Sequence, residues 1–136
     1  RTFSWGGGPH GALGHGDTQH QRTPKQIAAL VGHRIVHVDC GRNHTIMITD
    51  SGRVFSCGFN GQGGLGLGDT EDRSVPTEVT ELGSQRVVSA TAGRYYSLTV
   101  GTGGAVYVWG KQFDADADDL TRPSQLWAFP TGASAR

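Results

Sequence analysis

The sequence predicts an all-β chain, and three observations carry that prediction. Its 136 residues include 22 Gly and 5 Pro, a heavy demand for turns, while a hydrophobic content of 35% is too high for a disordered tail. Apolar and polar residues alternate over short runs, which is the period of a strand. The chain also repeats itself at a constant offset of 52 residues. Phe3, Gly6, Gly11, Leu13, Gly14, Gly16, Asp17, Thr18 and Pro24 recur as Phe55, Gly58, Gly63, Leu65, Gly66, Gly68, Asp69, Thr70 and Pro76. With no change of offset, Ile35, Val36, Gly41, Arg42, Thr45, Gly52 and Val54 return as Val87, Val88, Gly93, Arg94, Ser97, Gly104 and Val106.

In chain order, RTFSWG alternates Phe3 and Trp5 with polar neighbours and ends at glycines, a short strand. A Gly- and His-rich loop runs to Thr23, and residues 24–30 read as a further strand or extended edge, with Pro24 suited to an edge because it donates no ladder hydrogen bond. RIVHVDC places Val36, Val38 and Cys40 on one face and His37 and Asp39 on the other. NHTIMITDSGRVFSCG is a hairpin signal: Ile46 and Ile48 share a face, Asp50, Ser51 and Gly52 turn, and Val54, Phe55 and Cys57 follow. The second copy repeats this order, with Val88, Ala90 and Ala92 in place of Val36, Val38 and Cys40, a turn at Gly103 and Gly104, and Tyr107 and Trp109 in AVYVWG. After Gly110 the third copy departs: its loop is acidic and short, and Pro123 arrives five residues early.

Four short strands per period of about 50 residues fit a β-propeller blade better than a helical solenoid. Small side chains such as Ala90, Ala92 and Cys40 suit the innermost strands, where neighbours crowd near the axis.

Charge excludes more than it suggests. Twelve basic and twelve acidic residues leave no net charge, so no long-range field favours nucleic acid or an anionic membrane. No apolar run approaches the roughly 18 residues that span a bilayer, and no charged-then-apolar leader opens the chain. A soluble protein is expected, and a first residue other than Met is expected of a piece of something longer. Cys40 and Cys57 are too few for a disulfide scaffold; both align with core positions of other copies and are expected as buried free thiols, favouring a reducing, intracellular setting in cytoplasm or nucleus.

The chemical motifs weaken when their context is read. Gly61-Gln62-Gly63-Gly64-Leu65-Gly66 has the spacing of a dinucleotide signature, but Gly68 and Asp69 continue the loop where a helix must begin, and Pro9 replaces its first Gly in the other copy. The glycines are expected to permit positive φ in a blade-edge loop, and Asp17 and Asp69 to stabilise turns. His10, His15 and His20 fall five apart, yet the second copy has Gln62, Leu67 and Asp72 there, so no metal is expected. His44 lacks a nucleophile and a supporting carboxylate, which argues against catalysis. Asp114, Asp116, Asp118 and Asp119 begin like a calcium loop but Asp119 and Gln125 stand where Gly and Glu are needed, leaving a solvated acidic loop. Asn43-His44-Thr45 is a formal glycosylation sequon beside a strand, expected to stay unmodified. No cofactor is expected.

GFNGQGGLGLGDTEDRSVPTEV, RVVSATAG and AVYVWG resemble the repeat of the regulator of chromosome condensation family, over nearly the whole chain from Phe3 to about Trp127. The resemblance implies a seven-bladed ring in which each repeat contributes the outer strands of one blade and the inner strands of the next. It then implies that residues 1–30 form the outer half of one blade, 31–82 a complete blade, and 83–127 another with a shortened acidic loop, with 128–136 a tail or linker. An arc of about two and a half blades would leave an apolar face and unpaired edges at its ends, to be covered by further blades, another chain or a second copy.

Similar proteins include an exchange factor for the GTPase Ran, an ultraviolet photoreceptor, ubiquitin-ligase recognition modules, ciliary scaffolds and protein inhibitors. The photoreceptor motif Gly-Trp-Arg-His-Thr meets Arg42 and Arg94 here in place of its light-absorbing Trp. The expectation is a non-catalytic scaffold that binds a protein partner through loops 6–23, 58–75 and 110–122, with exchange of guanine nucleotide on a Ran-type GTPase as the alternative. Candidate contact residues are His10, His15, Asp17, His20 and Arg22 in the first loop, Asn60, Gln62, Asp69, Glu71, Asp72 and Arg73 in the second, and Asp114, Asp116, Asp118 and Asp119 in the third.

Overall fold

The computed structural model describes residues 1–112 and 120–127. Among them there is no α-helix, and the strands form three antiparallel sheets. β1 (Phe3–Gly6) and β2 (Gln21–Gln26) make a two-stranded sheet. β3 (Ile35–Cys40), β4 (His44–Thr49), β5 (Val54–Gly58) and β6 (Arg73–Glu78) pair in sequence order as a four-stranded blade. β7 (Val87–Ala92), β8 (Tyr96–Gly101), β9 (Val106–Gly110) and β10 (Ser124–Trp127) repeat it. The result is a partial β-propeller.

Register follows from the turns. Gly52, at φ 84°, closes the β4–β5 hairpin, where Ile48 faces Val54; Gly104, at φ 82°, does the same between β8 and β9. Both are left-handed positions that a side chain would strain. The 52-residue repeat extends to irregularities: β3 slips register between Ile35 and His37, and β7 between Val87 and Ser89.

β4 holds the arc together because neighbours cover both of its faces. Ile46 and Ile48 join Val54, Val79, Leu82, Val87, Ala90 and Trp109 in a cluster between the two four-stranded sheets. Met47, on the opposite face, joins Ile27, Leu30, Phe55 and Cys57 beneath the two-stranded sheet. Full burial of one such aliphatic side chain stabilises by about 1.5–3 kcal/mol, so this single strand anchors two interfaces.

Two expectations are corrected. Residues 24–30 are not one strand: β2 ends at Gln26, and Ala28–Leu30 form a 3-10 turn. Ile27 and Leu30, three apart, both turn into the core, as do Val79 and Leu82 around the 3-10 turn Thr80–Leu82. Cys40 is exposed rather than buried, although Cys57 is buried. Trp5, the counterpart of the 1% exposed Trp109, is 58% exposed. Among the described residues β1 and β2 form a sheet of two strands only, and Cys40 and Val38 on the face of β3 turned toward it are exposed, as are Phe3 and Trp5.

Candidate functional site

In each sheet the strands run alternately up and down, so turn 41–43, turn 93–95 and the long loops 7–20, 59–72 and 111–123 all open at one end. That end is a rim of polar loops, and loops 7–20 and 59–72 each reach across to the next sheet. The carbonyl of Ala12 accepts hydrogen bonds from Thr45 Oγ1 (2.8 Å) and Cys57 Sγ (3.6 Å). Fifty-two residues on, the carbonyl of Gly64 accepts from Ser97 Oγ (2.8 Å) and Trp109 Nε1 (2.9 Å). Gly66, at φ 74°, lies flat against the Trp109 indole, where an added Cβ would come within 2.8 Å of Nε1.

Loop 59–72 is organised by Asn60, which is fully buried. Its Nδ2 donates to the carbonyl of Asp69 (3.1 Å), to Asp69 Oδ1 (2.9 Å) and to the carbonyl of Glu71 (2.9 Å), and its Oδ1 accepts from Leu65 N–H (3.1 Å). A loop with so many glycines has few side chains to bury, and this amide supplies the missing bracket. Asn60 is therefore corrected from a contact residue to an internal one. Asp69 is engaged as well: Arg73 binds it at 2.6 Å, and this guanidinium, with the Glu71 N–H and the Asn60 amide, holds its carboxyl below the usual range. Asp17 and Asp69 make the same turn, accepting from the N–H groups of Gln19 and Glu71 at 3.0 Å.

The other candidates sit as follows. His10 Nδ1 meets Asp72 Oδ2 at 2.9 Å, tying loop 7–20 to loop 59–72. His15 Nε2 meets Ser4 Oγ at 2.8 Å and is half-buried. His20, Arg22, Gln62 and Glu71 are exposed. Asp114, Asp116, Asp118 and Asp119 lie outside the described residues. Among the described residues, no three His, Cys, Asp or Glu side chains converge on a point that could hold a metal ion.

Sequence reading missed the aromatic side of the rim. Phe59 and Tyr95 stand with ring centroids 6.0 Å apart, His10 packs edge-on to Phe59 at 4.9 Å, and the Arg94 guanidinium lies 5.1 Å from the Tyr95 ring. The Tyr95-Tyr96 pair was a signal, but Phe59 aligns with Gly7 and Tyr95 with Asn43, so the repeat pattern masks both.

His44 explains its own motif. Its Nε2 lies 3.0 Å from Ser97 Oγ, whose single proton already goes to the Gly64 carbonyl, so the imidazole donates and cannot act as a base toward that hydroxyl. Burial lowers its pKa, partly offset by a backbone hydrogen bond at Tyr96 and the charge of Asp39. A Cβ at Gly41 would collide with this ring and with the Gly93 carbonyl, and one at Gly93 with the Tyr96 ring, so both glycines are space requirements. Asp39 Oδ2 accepts from Ala92 N–H at 2.8 Å, and His37 Nε2 meets the Ala90 carbonyl at 2.9 Å, locking the two inner strands together. On the other side of β3, a groove of about 370 Å³ opens among Phe3, Trp5, Val38, Cys40, Met47 and Cys57.

Blades joined by loop carbonyls, with a glycine-spaced His or Tyr at the root of each inner hairpin, define a propeller built from tandem sequence repeats. The chain belongs to the regulator of chromosome condensation (RCC1) repeat family: residues 1–48 and 51–100 match its repeat model, and residues 35–63 a second model of the same repeat. The E3 ubiquitin-protein ligase HERC2 of Homo sapiens is 40% identical over 111 residues, covering 80% of this chain and 2% of that protein. The ultraviolet-B receptor UVR8 of Arabidopsis thaliana is 36% identical over 132 residues, covering 93% of this chain and 30% of the receptor. The crystal structure of Prp20p from Saccharomyces cerevisiae superposes with a TM-score of 0.79 at 22% identity, covering 95% of this chain and 34% of Prp20p. The chain thus spans from 2% to 34% of these proteins.

Proposed function

We propose that the chain is part of a non-catalytic scaffold that holds a protein partner on the loop rim. The observation that carries this reading is the stiffness of the loops: the Asn60 bracket, the paired Asp17 and Asp69 turns and the carbonyl fastenings fix them before any partner arrives. Preorganised loops lose little conformational entropy on binding. His10, His20, Gln62, Glu71 and Asp72 stand exposed on them, while Arg22, expected in the first loop, is exposed on β2. The groove beside β1 is covered, in this proposal, by further blades of the same wheel. An intracellular setting belongs to it too, supported by two free cysteines, one of them buried.

Cross-linking with mass spectrometry on the intact protein tests the assignment. Intermolecular links are expected from loops 6–23 and 58–75; links confined to a blade face would overturn it.

The alternative is a guanine nucleotide exchange factor for a Ran-type GTPase. It is favoured by the likeness to Prp20p, which has binding properties to Gsp1p and histones. Such a factor needs no acid or base of its own, only tighter binding to the nucleotide-free state. Stimulated nucleotide release from a panel of small GTPases would replace the scaffold reading with this one.

A further inference from the structure

The chain carries no net charge, yet one part of the rim is locally cationic. Arg42 and Arg94 occupy equivalent places in the turns that join β3 to β4 and β7 to β8. Those turns touch: a Cβ on Gly41 would collide with the carbonyl oxygen of Gly93. Both arginines are exposed. Arg94 rests over the Tyr95 ring, and neither arginine has a carboxylate among the ion pairs of the described residues. Lys111, also exposed, is placed beside them by its backbone N–H, which donates to the Tyr95 carbonyl at 3.1 Å. The same bond fixes Phe59 to Asn43 in the preceding blade, at 2.8 Å.

Elsewhere three arginines are matched by a carboxylate, while Arg22, Lys25, Arg34 and Arg86 are exposed and scattered outside these ion pairs. Arg53 is paired with Glu78, Arg73 with Asp69 and Arg122 with Glu81. The rim therefore gathers Arg42, Arg94 and Lys111 in one region, outside the ion pairs of the described residues and next to the half-buried rings of Phe59 and Tyr95. Adjacent like charges repel, and a partner that brings carboxylates removes the repulsion while gaining charge-assisted hydrogen bonds.

Resting on the scaffold reading, we infer that the partner presents an acidic peptide segment with an aromatic or large aliphatic residue among its carboxylates. The carboxylates pair with Arg42, Arg94 and Lys111, and the apolar residue lies against Phe59 and Tyr95. Arginine suits this role because its planar fork meets a carboxylate with two hydrogen bonds.

The test uses the intact protein and a fluorescein-labelled oligoglutamate peptide with a central phenylalanine, read by anisotropy. Binding is expected to weaken as salt rises. The R42E/R94E double variant is expected to bind at least about tenfold more weakly. R34E/K25E makes the same change in net charge away from these turns and is expected to stay within about twofold, as distant surface charges are largely screened. R42Q/R94Q removes charge from two exposed positions without reversing it, which keeps the test valid if the reversed variant folds poorly. Equal binding by wild type and R42Q/R94Q would overturn the inference. So would tighter binding to a single-stranded oligonucleotide of equal charge, which would assign the patch to nucleic acid. If the loops cross-link to a partner while the arginine variants bind the probe normally, this inference fails alone and the scaffold reading stands.

Discussion

Asn60→Ala is the substitution that tests most of the structural reasoning at once. Two groups lose their partner outright, the Leu65 N–H and the Asp69 carbonyl, and an orphaned buried polar group costs about 1–3 kcal/mol. The other two acceptors are held by further donors: the Glu71 carbonyl keeps Arg73 at 2.7 Å, and Asp69 Oδ1 keeps the Glu71 N–H and Arg73, so their losses are smaller. The sum is about 3 kcal/mol, which in a chain of this size lowers Tm by about 10 °C. It also accelerates hydrogen exchange at the Leu65 amide by about 100-fold, since 1.4 kcal/mol is tenfold. Urea denaturation and amide exchange read both quantities. Asn60→Asp keeps the acceptor for Leu65 but sets a carboxylate against Asp69, and is expected to be worse than alanine at neutral pH and to recover partly in acid. A loss below about 1 kcal/mol with unchanged Leu65 exchange would refute the view that this amide organises the loop.

Other expectations follow from the same contacts. Trp109→Phe is expected to cost only about 1 kcal/mol for its hydrogen bond, because Ser97 still donates to Gly64, whereas Trp109→Ala is expected to cost about 3–5 kcal/mol; urea midpoints decide. Burial lowers the His44 pKa, so its neutral form is favoured on folding: stability is full above the ordinary histidine value and falls as pH drops toward the lowered one, and His44→Gln is expected to flatten the fall in denaturation midpoints on the acid side of that ordinary value. Asp69 behaves likewise at lower pH, its stabilisation present above the unfolded carboxylate value and lost as pH falls through the depressed folded one; Arg73→Gln is expected to shrink that acid-side loss. Burial, with the nearby Cys40 adding to it, pushes the Cys57 thiol up to about 12, so a maleimide is expected to label exposed Cys40 in the native chain and Cys57 only on unfolding.

The sequence carried the architecture because repetition reports on backbone. Gly52, Gly66 and Gly104 recur where the chain needs positive φ, and Ile46 and Ile48 alternate because β4 is a strand. Side-chain roles that break the repeat were hidden. Asn60 aligns with Gly8, so nothing in the pattern distinguished a buried bracket from a solvated loop residue. Cys40 aligns with core positions, but its exposure depends on which strands stand beside it, a property of neighbours rather than of its own segment. The 3-10 turn at Ala28–Leu30 lies in a continuous apolar run, Ile27 to Val31, too short for periodicity to separate an extended segment from a helical turn.

The two carbonyl fastenings are not equal in strength. Where the later joint is closed by an indole and a serine, the earlier one relies on a threonine and a thiol, a weak donor at long range. Load or heat should therefore part the arc at a chosen seam, between the first sheet and the second, before the second and third let go. In an array coupled only through nearest neighbours, the softest junction decides where unzipping starts and which fragment survives it.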